Sequence, residues 1–368
     1  MAKIHQACVV GDAMIPGTGF RSAFEAYLAD YVETVTIDDW ESDWGKLQYR
    51  RLEVEKHGPE IEVVPEIVVT KGKGAEILMG LFVPISTKVL DALPKLKIAG
   101  VCRAGLENVN VEAASQRGVL VFNVMGRNAE AVSDFAVGLM LAESRNIARA
   151  HCAIKTGEWR KTFANSASVP QLGGKRVGIV GFGYIGQLVA KKLSGFAVDI
   201  AVYDPFVDAK TIKEHGGVSV SKEALFRESD FVTVHARLTD ENKGMIGRTE
   251  FSQMKPSAYF INTGRAGLVD HAALAAALNK QRIAGAGIDV FPTEPISEND
   301  ELLGLDNVTL TTHIAGTTTE ALTNSPALLM EDIRRLFAGE SPRYVVNPTV
   351  LENESFSQWL SEVKKTIQ

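Results

Sequence analysis

The stretch RVGIVGFGYIGQLVAKKLSGF, beginning at Arg176, constrains the chain more than any other. An apolar run meets Gly181-Phe-Gly183-Tyr-Ile-Gly186, and the pattern then becomes helical. A buried strand must therefore hand over to a helix within one tight turn, which calls for an α/β sheet with crossover helices. Each glycine has its own task. Gly181 permits the turn, Gly183 lets the backbone come close to a pyrophosphate, and Gly186 lets the helix pack on the strand. The helix start then offers unpaired N–H groups to phosphate oxygens. Tyr184 and Ile185 complete this loop. Asp204 ends the next apolar run, DIAVYD, 18 residues beyond Gly186, and the dinucleotide fingerprint asks for an acid about 20 residues on. Its carboxylate would accept hydrogen bonds from a ribose diol and repel a 2′-phosphate, so the cofactor expected is NAD rather than NADP.

The same alternation extends in both directions. Upstream, QACVVGD, EIEVVPE, AEILMGLF, KIAGVC and GVLVFN read as strands, with helices such as FRSAFEAYLADY and NVEAASQRG between them. Downstream, DIAVYD, FVTVHA, AYFINT, GAGIDV and VTLTTH continue a second series, with HAALAAALNK as one of its helices. Between the two series lies NAEAVSDFAVGLMLAESRNIARAH (128–151), expected as one long helix. Val132, Phe135, Ala136, Leu139, Met140 and Ile147 give it an apolar face that Val137 and Leu141 widen. A face that wide is expected to be buried or to meet a second subunit. PALLMEDIRRLFAGE reads as a further amphipathic helix before Asn347-Pro348, and residues 348–368 as a tail.

Composition narrows the function. With 45% hydrophobic and 23% charged residues the chain has ample core for two domains, and its formal charge of −6 gives no basic footprint for nucleic acid or anionic lipid. No apolar run is long enough to span a bilayer. Cys8, Cys102 and Cys152 form no CxxC pair. A reducing, cytoplasmic setting is expected, without a disulfide framework. There is no HExxH or other dense ligand cluster, so no metal is expected.

Three later segments each place a polar residue just beyond an apolar run: Arg265 after AYFIN, Glu294 after GAGIDV and His313 after VTLTT. Strand carboxyl ends gather at the ligand crevice of a parallel sheet, so the three would converge. Histidine transfers protons near neutral pH, a carboxylate beside it fixes its tautomer, and arginine binds a carboxylate and polarises a carbonyl.

These segments, with GFGYIG and Asp204, resemble the D-isomer-specific 2-hydroxyacid dehydrogenase family. The likeness runs from about Ala75 to Asn347 through QLGGKRVGIVGFGYIG, MKPSAYFINTGRAGLVDHAAL, GIDVFPTEP and TTHIAGTT. The Arg127-Asn128-Ala-Glu-Ala-Val stretch points to its phosphoglycerate dehydrogenase-like branch. The resemblance implies Arg265, Glu294 and His313 as the catalytic trio. It implies that His235, Ala236, Thr263, Gly264 and Gly316 line the cofactor and that Asp289 contacts the nicotinamide carboxamide. Many members have proline at the position of Arg237. The substrate-carboxylate loop would fall on VCRAGLENVN, with the N–H groups of Ala104 and Gly105 as donors. Arg103 either reads a second anionic group or lies on the loop surface, and Arg127 has the same two readings. Leu81 and Phe82 either line the pocket or belong to the core.

The expected architecture is two doubly wound parallel-sheet domains with a cleft between them. A flavodoxin-like substrate domain would comprise residues 1–122 plus 316–347, and a Rossmann NAD domain residues 123–315. The domains would close on ligand, and the 128–151 helix would make a homodimer. The expected function is an NAD-dependent D-2-hydroxyacid dehydrogenase acting on a small acid, with D-3-phosphoglycerate dehydrogenase as the alternative within the family. A second alternative is an NADH-sensing, corepressor-like binding protein. Formate dehydrogenases of the superfamily carry glutamine where this chain has Glu294, which disfavours that activity. The segment 40–74 is longer than the simplest members require.

Overall fold

Strands that read as near-continuous apolar runs are strands covered on both faces, and the inner strands of both sheets are of this kind. The computed structural model describes residues 4–167 and 169–365. The chain forms two units, residues 1–127 with 318–368, and residues 128–317.

The first unit carries β1 (Ile4–Asp12), β2 (Val32–Glu41), β3 (Ile77–Gly80), β4 (Ile98–Val101) and β5 (Leu120–Phe122), all parallel, in the order β2-β1-β3-β4-β5. That order is the flavodoxin type, with its switch point between β1 and β3. Alternate residues divide between two cores. Val9, Ile77, Ile98 and Leu120 face one, while Val10, Leu78, Ala99 and Val121 face the other. The first core is closed by the helices Ser325–Phe337 and Glu354–Lys365. Leu329 approaches Gly100 so closely that a Cβ there would sit 3.0 Å from its methyls. Truncating this fully buried leucine would cost about 2–5 kcal/mol.

The second unit carries β6 (Arg176–Val180), β7 (Asp199–Tyr203), β8 (Gly217–Ser219), β9 (Phe231–Val234), β10 (Tyr259–Asn262), β11 (Gly285–Ile288) and β12 (Val308–Leu310). They form one parallel sheet in the order β12-β11-β10-β9-β6-β7-β8, which reverses direction between β6 and β9. Cross-strand register brings Tyr203 beside Val180, Val180 beside Val234, Val234 beside Asn262, Asn262 beside Ile288 and Ile288 beside Leu310. Six strands thus end along one edge, and the residues that follow them share it.

Four features differ from the sequence expectation. β2 has the sequence VETVTIDDWE, whose polar Thr34, Thr36 and Asp38 mask a strand at the sheet edge. EIEVVPE forms no strand; it holds a short turn of helix at Pro59–Ile61 and leads into the helix Glu66–Thr70, with Pro65 fixing the entry. The long 128–151 segment is two helices, Ala129–Ser144 and Ile147–Lys155, broken where Asn146 takes φ 59°. The break is pinned by Asn146 Nδ2 donating to Asn165 Oδ1 (2.8 Å) and by Arg149 gripping buried Glu143. The apolar arc of the first of these helices is consumed within its own unit, where Ala136, Leu139 and Met140 join the core and the helix packs on β10 and β11. Finally, the segment 348–368 contributes to the core, because Phe356, Leu360 and Val363 of the last helix are buried.

Candidate active site

The site begins at the β6 turn. Gly181 takes φ 89°, and a Cβ on it would lie 2.4 Å from the Ala236 N atom, so neither backbone nor space admits a side chain. A Cβ on Gly186 would fall 2.3 Å from the Gly181 carbonyl oxygen. In front of Gly183 nothing lies within 4 Å of an added Cβ, so the loop presents open space where a pyrophosphate would approach. Tyr184, which opens the helix Tyr184–Leu193, is half exposed, and Ile185 packs on the core.

Asp204, just past β7, holds this loop. Its Oδ2 accepts from the Phe182 N–H (2.7 Å) and its Oδ1 from the Phe206 N–H (2.8 Å). A carboxylate has about four acceptor sites, so two remain for a ribose diol. Beyond β9, His235 is half-buried; its Nε2 meets Thr233 Oγ1 at 2.9 Å and its Nδ1 has no partner among the described residues. Desolvation pushes its pKa down to about 3, which keeps the ring neutral. Beyond β10, Thr263 is buried, and its Oγ1 has no partner among the described residues. Gly264 N–H donates to Asn262 Oδ1 (3.0 Å), and Asn262 Nδ2 donates to the Arg265 carbonyl (3.3 Å), so Asn262 shapes this turn. Open space at Gly183, spare acceptor sites on Asp204 and orphaned polar atoms on His235 and Thr263 fit a bound dinucleotide.

The three candidate catalytic residues follow three adjacent strands. Arg265 lies past β10, exposed, with Nη1 donating to the Gly264 carbonyl (2.9 Å). Glu294 and His313 lie past β11 and β12 and meet directly, His313 Nδ1 standing 2.8 Å from Glu294 Oε2. The Phe291 N–H donates to Glu294 Oε1 (3.1 Å) and orients the carboxylate. An ionised carboxylate only accepts, so Nδ1 carries the hydrogen and Nε2 is left to exchange a proton. His313 adopts φ 56°, an uncommon backbone for a residue with a side chain.

Asp289 explains how that backbone is held. It is fully buried, and its Oδ1 accepts from Thr311 Oγ1 (2.6 Å) and the Ile314 N–H (3.0 Å). Its Oδ2 accepts from the Ala315 N–H (2.9 Å). The carboxylate therefore clamps both sides of the His313 turn. No motif in the sequence singles out Asn262 or Thr311. A buried acid or amide at a strand end was the available signal. Gly316 is held close to Asn128, whose Nδ2 would lie 2.4 Å from an added Cβ.

In the first unit, Leu81 is wholly buried and Phe82 nearly so, both in the core. Arg103 pairs with Glu107 (2.8 Å) and lies over the Phe82 ring, 4.7 Å from its centroid. Among the described residues no acceptor is bonded to the N–H of Ala104 or Gly105, while the Ala104 carbonyl accepts from Asn123 Nδ2 (2.9 Å). Arg127 Nη1 donates to the Ala321 carbonyl (3.1 Å) and meets Ser325 Oγ (3.5 Å). Arg237 is exposed.

Residues 137–315 match the sequence model of the D-isomer specific 2-hydroxyacid dehydrogenase NAD binding domain. Over 271 residues the chain is 40% identical to a glyoxylate reductase of Thermococcus litoralis, covering 73% of this chain and 82% of that one. Over 307 residues it is 36% identical to a D-3-phosphoglycerate dehydrogenase of Archaeoglobus fulgidus, covering 82% of this chain. The chain spans only 58% of the length of that second relative. Among solved structures, D-mandelate dehydrogenase of Rhodotorula graminis superposes with a TM-score of 0.73 at 26% identity, covering 93% of this chain and 97% of that one. D-lactate dehydrogenase of Escherichia coli superposes with a TM-score of 0.68 at 25% identity, covering 92% and 99%.

Proposed function

From a chain that belongs to the D-isomer-specific 2-hydroxyacid dehydrogenase family and carries its NAD-binding domain, we propose an enzyme that interconverts a small 2-keto acid and its D-2-hydroxy acid. The observation that carries this reading is the 2.8 Å pair between His313 Nδ1 and Glu294 Oε2, set three strands from an open glycine loop on one sheet edge. NADH, when bound, supplies the hydride that reduces C2. His313 gives the proton from Nε2 to the keto oxygen, which becomes the hydroxyl, and takes it back in the reverse direction. Glu294 holds the ring in that tautomer and stabilises the imidazolium. Arg265 binds the substrate carboxylate and polarises the carbonyl with its forked donors. The N–H groups of Ala104 and Gly105, engaged by no acceptor among the described residues, suit a carboxylate.

Asp204 supports NAD over NADP, because a 2′-phosphate would meet a carboxylate already fixed by two backbone bonds. A homodimer is supported by the exposed apolar side chains Ile147, Ile154 and Trp159 on and after the second helix of the 128–151 segment. The cytoplasmic assignment rests on three free cysteines. No described helix is long and apolar enough to cross a membrane.

The test is NADH oxidation with glyoxylate, pyruvate, phosphohydroxypyruvate and 2-oxoglutarate. Turnover of at least one acid to its D-hydroxy product supports the proposal. Tight NADH binding with no turnover across the panel overturns it in favour of an NADH-responsive binding protein.

A further inference from the structure

The first unit holds a pocket at the amino ends of its strands, the edge opposite to the one where a parallel sheet receives its usual ligand. Leu93, Pro94 and Leu96 form the turn that leads from the helix Thr87–Ala92 into β4, and Val119 immediately precedes β5. With Leu90, Asp91 and Arg117 they line a cavity of about 340 Å³. That is the small end of the range for ligand pockets, roughly 300 to 1,000 Å³. Every lining residue belongs to the first unit, so neither the glycine loop nor the candidate catalytic residues contribute to it.

The lining divides into an apolar floor and a charged rim. Leu90, Leu93, Leu96 and Val119 are buried, and their side chains offer no hydrogen bond. Arg117, just past the helix Val111–Gln116, and Asp91, on the last turn of Thr87–Ala92, are exposed and meet at the rim. Their pairing is one-sided. Arg117 Nε (3.1 Å) and Nη2 (2.7 Å) both donate to Asp91 Oδ1, and Arg117 Nη1 donates to the Ala113 carbonyl (3.1 Å). Asp91 Oδ2 has no hydrogen-bond partner among the described residues. A guanidinium has five N–H groups, so two of Arg117 remain. The rim thus keeps a spare anionic acceptor and spare cationic donors side by side.

This combination selects a ligand by charge. A simple anion would gain Arg117 but face the Asp91 carboxylate, and a simple cation would meet the reverse. A sugar or a nucleotide would leave hydroxyls unpaired against four aliphatic side chains. A zwitterion with a short apolar tail satisfies the acceptor, the donors and the floor together. We propose that this pocket binds a free α-amino acid with an aliphatic side chain. Its carboxylate takes the spare N–H groups of Arg117, its ammonium donates to Asp91 Oδ2, and its side chain lies among Leu90, Leu93, Leu96 and Val119. The site is independent of the chemistry proposed at His313.

The experiment is calorimetric titration of the full chain with L-leucine, L-valine and glycine, and with 4-methylpentanoate and isopentylamine, which each lack one charge of leucine. L-Leucine or L-valine should bind saturably. Glycine and the two single-charge analogues should bind at least about tenfold more weakly, through loss of the buried side chain or of one charge-assisted contact. Arg117→Met keeps the apolar stem, removes the guanidinium and should weaken binding by a similar factor. Asp91→Asn tests the ammonium contact and carries the test if Arg117→Met fails to fold. No saturable binding of either amino acid overturns the proposal. So does binding that either analogue matches, or that either substitution leaves unchanged. The titration needs neither NADH nor a keto acid, so failure of every keto acid to oxidise NADH would sink the dehydrogenase reading alone.

Discussion

Replacing Asp289 with asparagine should damage stability and turnover together while sparing the affinity for NADH. The buried carboxylate accepts three hydrogen bonds from the turn that carries His313. An asparagine oxygen in place of Oδ1 can keep the bonds from Thr311 and Ile314, but its amide nitrogen would then face the Ala315 N–H, donor against donor. One bond is lost and one buried N–H is orphaned, at a cost of about 1–3 kcal/mol. For a unit of this size that corresponds to a fall in Tm of roughly 3–10 °C. Because His313 is held at φ 56°, a relaxed turn lets the imidazole drift. A misplacement on the order of 1 Å costs on the order of 100-fold in rate. The assays are differential scanning calorimetry, steady-state kcat well below Tm, and NADH fluorescence titration. A carboxamide contact would instead give weaker NADH binding with Tm and kcat near wild type. That result would refute the clamp.

Asp204→Ala should raise the NADPH/NADH ratio of kcat/KM by removing a negative charge from the ribose site, and an unchanged ratio would remove Asp204 from cofactor choice. Gly181→Ala, which forces a Cβ to 2.4 Å from the Ala236 N atom at φ 89°, should abolish NADH binding or lower the yield of folded protein. A variant that binds NADH normally would contradict the geometry. Asp12 bears on pH. Burial raises its pKa from 3.8 to about 6, although the N–H groups of Met14, Ile15 and Phe82 donate to it. The folded state then holds this proton more tightly than the unfolded chain. The stability it contributes is full below about pH 4 and is lost as pH rises to about 6, on the order of 3 kcal/mol. The stability difference between wild type and Asp12→Asn, followed by urea unfolding from pH 4 to 6.5, should change with that sign, and a flat difference would refute it.

Local pattern made most of the fold legible. Where a strand was buried on both faces, as in RVGIV or AYFIN, its apolar run stood out against the turn that followed. The glycine loop and Asp204 were legible because the turn admits few residue types. β2 was hidden, because an edge strand with Thr34, Thr36 and Asp38 carries no apolar signature. The break at Asn146 was hidden too, since it depends on Asn165, a residue outside the segment that only tertiary packing brings near. At the site, residue type suggested the His313–Glu294 pair. The clamp by Asp289 rests on hydrogen bonds that run from one strand end to the next loop and have no spacing rule, whereas the bracing by Asn262 stays within its own turn.

The most direct test of the central claim is the turnover of His313→Gln, measured as NADH oxidation with the best 2-keto acid of the wild type. Glutamine still bonds to Glu294 through its amide but has no titratable proton to give. The account predicts a fall in kcat of about 100-fold or more, the usual share of a general acid, with the Kd for NADH unchanged. Turnover within a few-fold of wild type would take the proton transfer away from His313 and contradict the mechanism.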